Sequence, residues 1–210
     1  MKVKVCGITN LEDADAAVRL GAWAIGLIHF KGSPRAVRFG EAARIGAALQ
    51  RKCELVGVFV NPTLDRVAEC VENAGLTMVQ LNGEEGPSFC TEVARRTGTR
   101  VIKGIAVSSA ADIHQAEAYR TDWHLFDTKV PGMSGGTGEA FDWELLSDHR
   151  SAVPFILAGG LNPENVSEAI AVARPDAVDV ASGIETRPGH KDPELMARFF
   201  AAAQPSKVAE

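Results

Sequence analysis

Short apolar runs rich in β-branched residues alternate along this chain with segments of helical period, and that alternation restricts the fold to repeated βα units on a parallel sheet. Eight such runs are present: Val3 to Cys6, Ala24 to Ile28, Leu55 to Val60, Met78 to Leu81, Val101 to Ile105, His124 to Asp127, Phe155 to Ala158 and Ala177 to Ala181. Between them lie amphipathic stretches. Leu64, Val67, Ala68 and Val71 make one i, i+3, i+4, i+7 face, and Val166, Ala169, Ile170 and Ala173 make another. Asn10 supplies a cap for a helix beginning near Leu11. Asn61-Pro62, Asn162-Pro163 and Asp192-Pro193 each put a capping side chain before a proline suited to the first helical position. Eight strands in 210 residues predict a single (β/α)8 TIM barrel spanning residues 1–210, with an open doubly wound sheet as the alternative.

The net charge of −5, with Lys and Arg scattered along the chain, gives no electrostatic footprint for nucleic acid or an anionic membrane, so any anion must be gripped locally. Cys6, Cys53, Cys70 and Cys90 show no CxxC spacing and no accompanying His pair, which argues against a zinc site and for reduced thiols. Neither a leader-like N-terminus nor an apolar run of 18 residues occurs, and a cytoplasmic location follows as the expectation.

In a barrel of this kind catalytic groups gather at the C-terminal ends of the strands. Strand 1 delivers Cys6 into a glycine turn, where it is either a reactive thiol or a buried structural cysteine. The loop after strand 2, His29-Phe30-Lys31-Gly32-Ser33-Pro34-Arg35, is stiffened by Pro34 and ends in a guanidinium able to hold a carboxylate bidentately, unless Arg35 is simply solvated. His29 reads as a packing or loop residue. Strand 6 ends Leu125-Phe126-Asp127, and a carboxylate directly after two large apolar residues is poorly explained by solvation. A salt bridge to Lys129 or a helix cap is the structural alternative. The glycine-rich run Pro131 to Gly138 suits a lid or an anion-contacting loop but matches no nucleotide-binding motif. After strands 7 and 8, Ala158-Gly159-Gly160-Leu161 and Asp179 to Glu185, with Ser182-Gly183 at its centre, bring backbone N–H groups forward as barrel phosphate sites do. Tight turns without a ligand are the alternative there. Asp179 is expected to point outward from strand 8 near that site.

Taken together, Lys4-Val5-Cys6-Gly7-Ile8-Thr9, Ser33-Pro34-Arg35, Val56 to Asn61, Val79-Gln80-Leu81, Gly135 to Gly138 with Phe141-Asp142-Trp143, Leu157 to Leu161 and Val178-Asp179-Val180 give a chain that resembles the phosphoribosylanthranilate isomerase family over nearly its whole length. The resemblance implies an Amadori rearrangement of a phosphorylated aminoaldose in tryptophan biosynthesis, without cofactor or metal. It further implies Cys6 as general base and Asp127 as general acid. Arg35 would hold the anthranilate carboxylate, Gly159, Gly160, Ser182 and Gly183 the phosphate, and Asp179 would assist at the sugar hydroxyls. The expected partner is the small phosphorylated substrate alone, bound by a monomer, with a homodimer as the alternative. Two positions depart from the family pattern: Asn82 stands where most relatives have histidine, and Ala181 where they often have a first serine. Asn82 cannot carry a proton charge, and the hydroxyl missing at Ala181 leaves the phosphate to Ser182, Gly183 and backbone amides. A related sugar-phosphate isomerase or epimerase, or a phosphate-sensing module, would share the phosphate loops but has no need of Cys6, Arg35 and Asp127 together.

Overall fold

The structure, a computed structural model, describes residues 1–128, 142–149 and 151–204. The expected eight strands are β1 (Lys2–Cys6), β2 (Ala24–Ile28), β3 (Glu54–Phe59), β4 (Met78–Leu81), β5 (Arg100–Val107), β6 (Trp123–Thr128), β7 (Phe155–Leu157) and β8 (Ala177–Val180). They close into a parallel barrel in chain order, and β1 pairs with β8 in the register Lys4 to Asp179. The open doubly wound alternative is thereby excluded. Among the described residues seven α-helices wrap it: α1 (Leu11–Arg19), α2 (Phe39–Leu49), α3 (Leu64–Ala74), α4 (Pro87–Thr97), α5 (Ala110–Ala116), α6 (Val166–Ala173) and α7 (Pro193–Ala202). A 3₁₀ segment, Trp143–Asp148, stands between β6 and β7, and a hairpin, β9 (Glu185–Arg187) with β10 (His190–Lys191), follows β8.

The two-residue period of each strand sorts its side chains onto two faces. Val3, Val5, Ile25, Leu27, Val79, Leu81, Val178 and Val180 belong to the larger apolar cluster, shared with the helices. Cys6, Ala24, Val56, Val58, Met78, Ile102 and Ala177 form a second cluster that fills the barrel lumen. Each fully buried aliphatic side chain removes enough apolar surface to contribute about 1.5–3 kcal/mol. Cys6 and Lys4 share the luminal phase of β1, Gln80 that of β4, Asp127 that of β6 and Asp179 that of β8, so several polar side chains enter this otherwise apolar interior.

The caps follow the sequence in part. Asn10 Oδ1 accepts from Asp13 N at 2.8 Å, and Asp192 caps α7 with Pro193 at its first position. Asn61 does not cap α3. That helix starts two residues later, with Thr63 accepting from Arg66 N, because Asn61 adopts a left-handed φ of 46° and turns its Oδ1 to Glu84 N. Asn162 caps a turn rather than α6 itself, accepting from Glu164 N and Asn165 N before the helix begins at Val166. His29 stacks on Phe59 with centroids 5.2 Å apart, and burial, helped by Arg66, lowers its pKa to about 4. It is a packing residue, as expected. The Pro131 to Gly138 run and Lys129 lie outside the described residues.

Candidate active site

A cavity opens at the C-terminal end of the barrel, lined among others by Cys6, Arg35, Gln80, Asn82, Asp127 and Asp179. Four side chains singled out in the sequence therefore face a single space, delivered by β1, the β2 loop, β6 and β8. Cys6 ends β1 with 7% exposure. Asp127, partly buried, sits in β6 opposite Ala106 of β5. Gly7, the residue after Cys6, has φ +74°, and a Cβ there would lie 2.8 Å from Arg35 Cδ. Glycine at that turn lets the Arg35 side chain cross the end of β1.

Arg35 is not a solvated arginine, nor is its fork empty. Its Nε donates to both carboxylate oxygens of Glu185 at 3.0 Å, and its Nη2 lies 2.8 Å from Glu185 Oε2. Glu185 in turn accepts from Lys191 Nζ at 2.8 Å and from Gly189 N at 3.2 Å. Burial opposes the Glu185 charge, but Arg35 and Lys191 outweigh it and hold its pKa below the ordinary 4.5. Lys191 Nζ also donates to the carbonyl of Ala181, a cavity-lining residue, at 3.0 Å.

Asp179 turns inward, against the outward orientation expected from the sequence. Its Oδ1 accepts from Lys4 Nζ at 2.9 Å, with Lys4 wholly buried, because the β1–β8 register sets the two residues side by side in the lumen. Burial works against the Lys4 charge, yet Asp179 and the Cys6 sulfur overcome it and raise the Lys4 pKa above 10.5. For Cys6 the balance runs the other way. Burial raises the thiol above 9.0, and the opposing pull of Lys4 and Lys191 does not reverse it. Desolvation of the luminal sulfur outweighs its cationic neighbours.

Gly159 and Gly160 take φ of 86° and 64°, and Ser182 and Gly183 open the short 3₁₀ segment Ser182–Ile184. A Cβ on Gly183 would collide with the Leu161 carbonyl, so the two loops pack directly on one another. All four residues lie on the loops beside the cavity rather than in its lining.

Sequence reasoning missed Lys4, Glu185, Lys191 and Gln80. Lys4 was legible, since a lysine in phase with Cys6 must enter the lumen. Lys191 had no local signal, because the β9–β10 hairpin folds it back from beyond β8. Gln80 is 1% exposed, its Nε2 donates to Asn82 Oδ1 at 3.0 Å, and its buried Oε1 has no partner among the described residues. An acceptor left so costs about 1–3 kcal/mol.

Fold and cavity together define a (β/α)8-barrel enzyme site, with a thiol, two carboxylates and a guanidinium lining one space. The family model for N-(5'phosphoribosyl)anthranilate (PRA) isomerase matches residues 3–202. The N-(5'-phosphoribosyl)anthranilate isomerase of Citrifermentans bemidjiense is 44% identical over 203 residues, covering 97% of both chains. Among solved structures, phosphoribosyl anthranilate isomerase from Thermotoga maritima superposes with a TM-score of 0.89 at 40% identity, over 97% of this chain and 98% of that one. Another isomerase structure, in complex with reduced 1-(o-carboxyphenylamino)-1-deoxyribulose 5-phosphate, gives a TM-score of 0.85 at 39% identity over 97% and 98%. The chain belongs to the N-(5'-phosphoribosyl)anthranilate isomerase family, and it is an isomerase.

Proposed function

We propose that the chain converts N-(5-phosphoribosyl)anthranilate to 1-(2-carboxyphenylamino)-1-deoxyribulose 5-phosphate, with Cys6 as general base and Asp127 as general acid. The observation that carries the reading is the convergence of Cys6, Asp127, Arg35 and Asp179, from separate strand ends, on one cavity. The relative solved with a reduced form of that aminoketose supports it. Asp127 gives a proton to the ring oxygen as the furanose opens to the Schiff base. Cys6, as thiolate, removes the proton from the neighbouring carbon of the protonated Schiff base; a proton is then returned from Cys6 to the former aldehyde carbon of the enolamine while the enol O–H gives its proton to the Asp127 carboxylate, which leaves the ketone and restores both groups. The atoms of substrate and product are the same, so no electron leaves the pair. Arg35 offers the donors not spent on Glu185 to the anthranilate carboxylate. Gly159, Gly160, Ser182 and Gly183 hold the phosphate through loop amides, and Asp179 meets the sugar hydroxyls while Lys4 holds its other oxygen. Clamping both ends fixes the reacting carbons between acid and base. Freshly prepared phosphoribosylanthranilate, followed by loss of its fluorescence on coupling to the next enzyme, tests the reading. Enzyme-dependent decay is expected, and its absence at every enzyme concentration sinks the assignment.

A further inference from the structure

Gln80 occupies the luminal phase of β4, in register with Val58 on β3 and Ile102 on β5. Both neighbours are apolar and buried, so neither side chain can satisfy the Gln80 carbonyl oxygen. The amide is nonetheless held firmly from its other end by Asn82. Room for Asn82 is built into β5: a Cβ on Gly104 would collide with Asn82 Oδ1, so a residue larger than glycine there would displace the asparagine. An orphaned acceptor in the cavity lining, oriented by a neighbour that has its own recess, is an arrangement costly to folding and suited to a ligand.

We propose that Gln80 contacts the substrate: its Oε1 accepts a hydrogen bond from an N–H or O–H of the aminosugar beside the reacting carbon, and Asn82 is the positioning residue that aims it. The inference rests on the reaction proposed above. That substrate carries donors on both sides of the carbon that loses its proton, an anilino nitrogen and sugar hydroxyls. Cys6 and Asp127 line the same cavity, so a donor bonded to Gln80 lies within the space where the proton is moved.

Gln80→Met keeps the length of the side chain and removes both its polar atoms. With phosphoribosylanthranilate as the probe, kcat/KM is expected to fall about 10- to 100-fold, as for one lost substrate hydrogen bond. The thermal midpoint is expected to hold or rise, because an unsatisfied buried acceptor has gone. A merely structural Gln80 would instead lower the midpoint, and that result, or wild-type kcat/KM in the variant, overturns the proposal. Asn82→Ala is expected to lose less activity than Gln80→Met, and the double variant to lose no more than Gln80→Met alone, since Asn82 acts through Gln80. Additive losses overturn the positioning role. Absence of turnover in the wild type would be a failure of the reaction assignment, which the same assay registers separately.

Discussion

Arg35 and Glu185, 150 positions apart in the chain, are joined by three close N–O contacts, so the loop after β2 is tied to the hairpin after β8 across the mouth of the cavity. A guanidinium expected to wait for a substrate carboxylate is therefore already oriented by an internal one. Glu185 is the residue that keeps the fork in place.

Glu185→Gln should accordingly release Arg35 and leave Lys191 short of a counter-charge. KM is expected to rise about 10-fold with a smaller change in kcat, and stability at pH 7 to drop by about 1.5–3 kcal/mol, the range for hydrogen bonds to charged groups. The pH dependence has a definite sign. The Glu185 pKa is depressed in the fold, so its contribution is present above about 4.5 and is lost as pH falls through the lower folded value. Urea unfolding of wild type and variant should differ at pH 7 and converge in strong acid, and a difference that persists there refutes the assignment.

Arg35→Lys keeps the charge and loses the planar fork. Substrate binding is expected to weaken by about 1.5–3 kcal/mol while inhibition by inorganic phosphate is unchanged, because the proposed phosphate donors are the amides around Gly159, Gly160, Ser182 and Gly183 and not the guanidinium. Equal substrate affinity in the two proteins would return Arg35 to a purely structural tie between loops.

How much of this was readable beforehand follows from the range of each signal. The barrel was legible because strand period and helix period are local, and each of the eight barrel strands lies within two residues of its expected bounds. Cys6, Arg35, Asp127 and Asp179 were legible as candidates because a barrel strand's end is defined by the strand itself. The partners of those residues were not. Lys191 and Glu185 reach the site through a hairpin whose path only tertiary packing decides, and Asp179 turned inward because the β1–β8 register set it beside Lys4. The same limit applied to Asn61, whose reach to Glu84 outcompeted a cap that the Asn-Pro pair favoured.

Inorganic phosphate or sulfate should compete with the substrate if the backbone amides around Gly159, Gly160, Ser182 and Gly183 hold the phosphate as proposed. Gly160→Val is expected to abolish that inhibition. Its φ of 64° suits glycine, and a β-branched residue there would be strained by at least about 1–2 kcal/mol and would push the loop away. Inhibition constants that match between wild type and variant would show the loops to be simple turns.

Lys4 and Asp179 form a luminal ion pair whose members lie 0% and 9% exposed. Removing one partner leaves the other charge uncompensated in the barrel, a change that costs about 3–5 kcal/mol. Lys4→Met should therefore lower the urea midpoint sharply, and Asp179→Asn should do the same. The stabilisation linked to Lys4 is present below its ordinary 10.5 and disappears as pH rises through the higher folded value, so the deficit of Lys4→Met should shrink only in strong alkali. Near-wild-type midpoints at pH 7 would mean the pair is dispensable.

Cys6 carries the sharpest test, because the proposed base must be a thiolate while its surroundings favour the thiol. Burial pushes the Cys6 thiol up from its ordinary value, so the thiolate is a minority form at pH 7. Alkylation of Cys6 by iodoacetamide, followed against pH in a protein whose other cysteines are replaced, should show a midpoint above that of free cysteine. Lys4→Met should move that midpoint higher, since Lys4 is the strongest of the charges that oppose the burial effect. Catalysis by thiolate and protonated carboxyl together predicts a bell-shaped kcat/KM profile. Asp127→Asn should lose nearly all activity and, with it, the alkaline fall. A Cys6 midpoint below that of free cysteine would contradict the burial argument while leaving the base assignment standing. Near-native turnover in Cys6→Ala would remove Cys6 as the base, and Asp179, on the same cavity wall, would be the residue to mutate next.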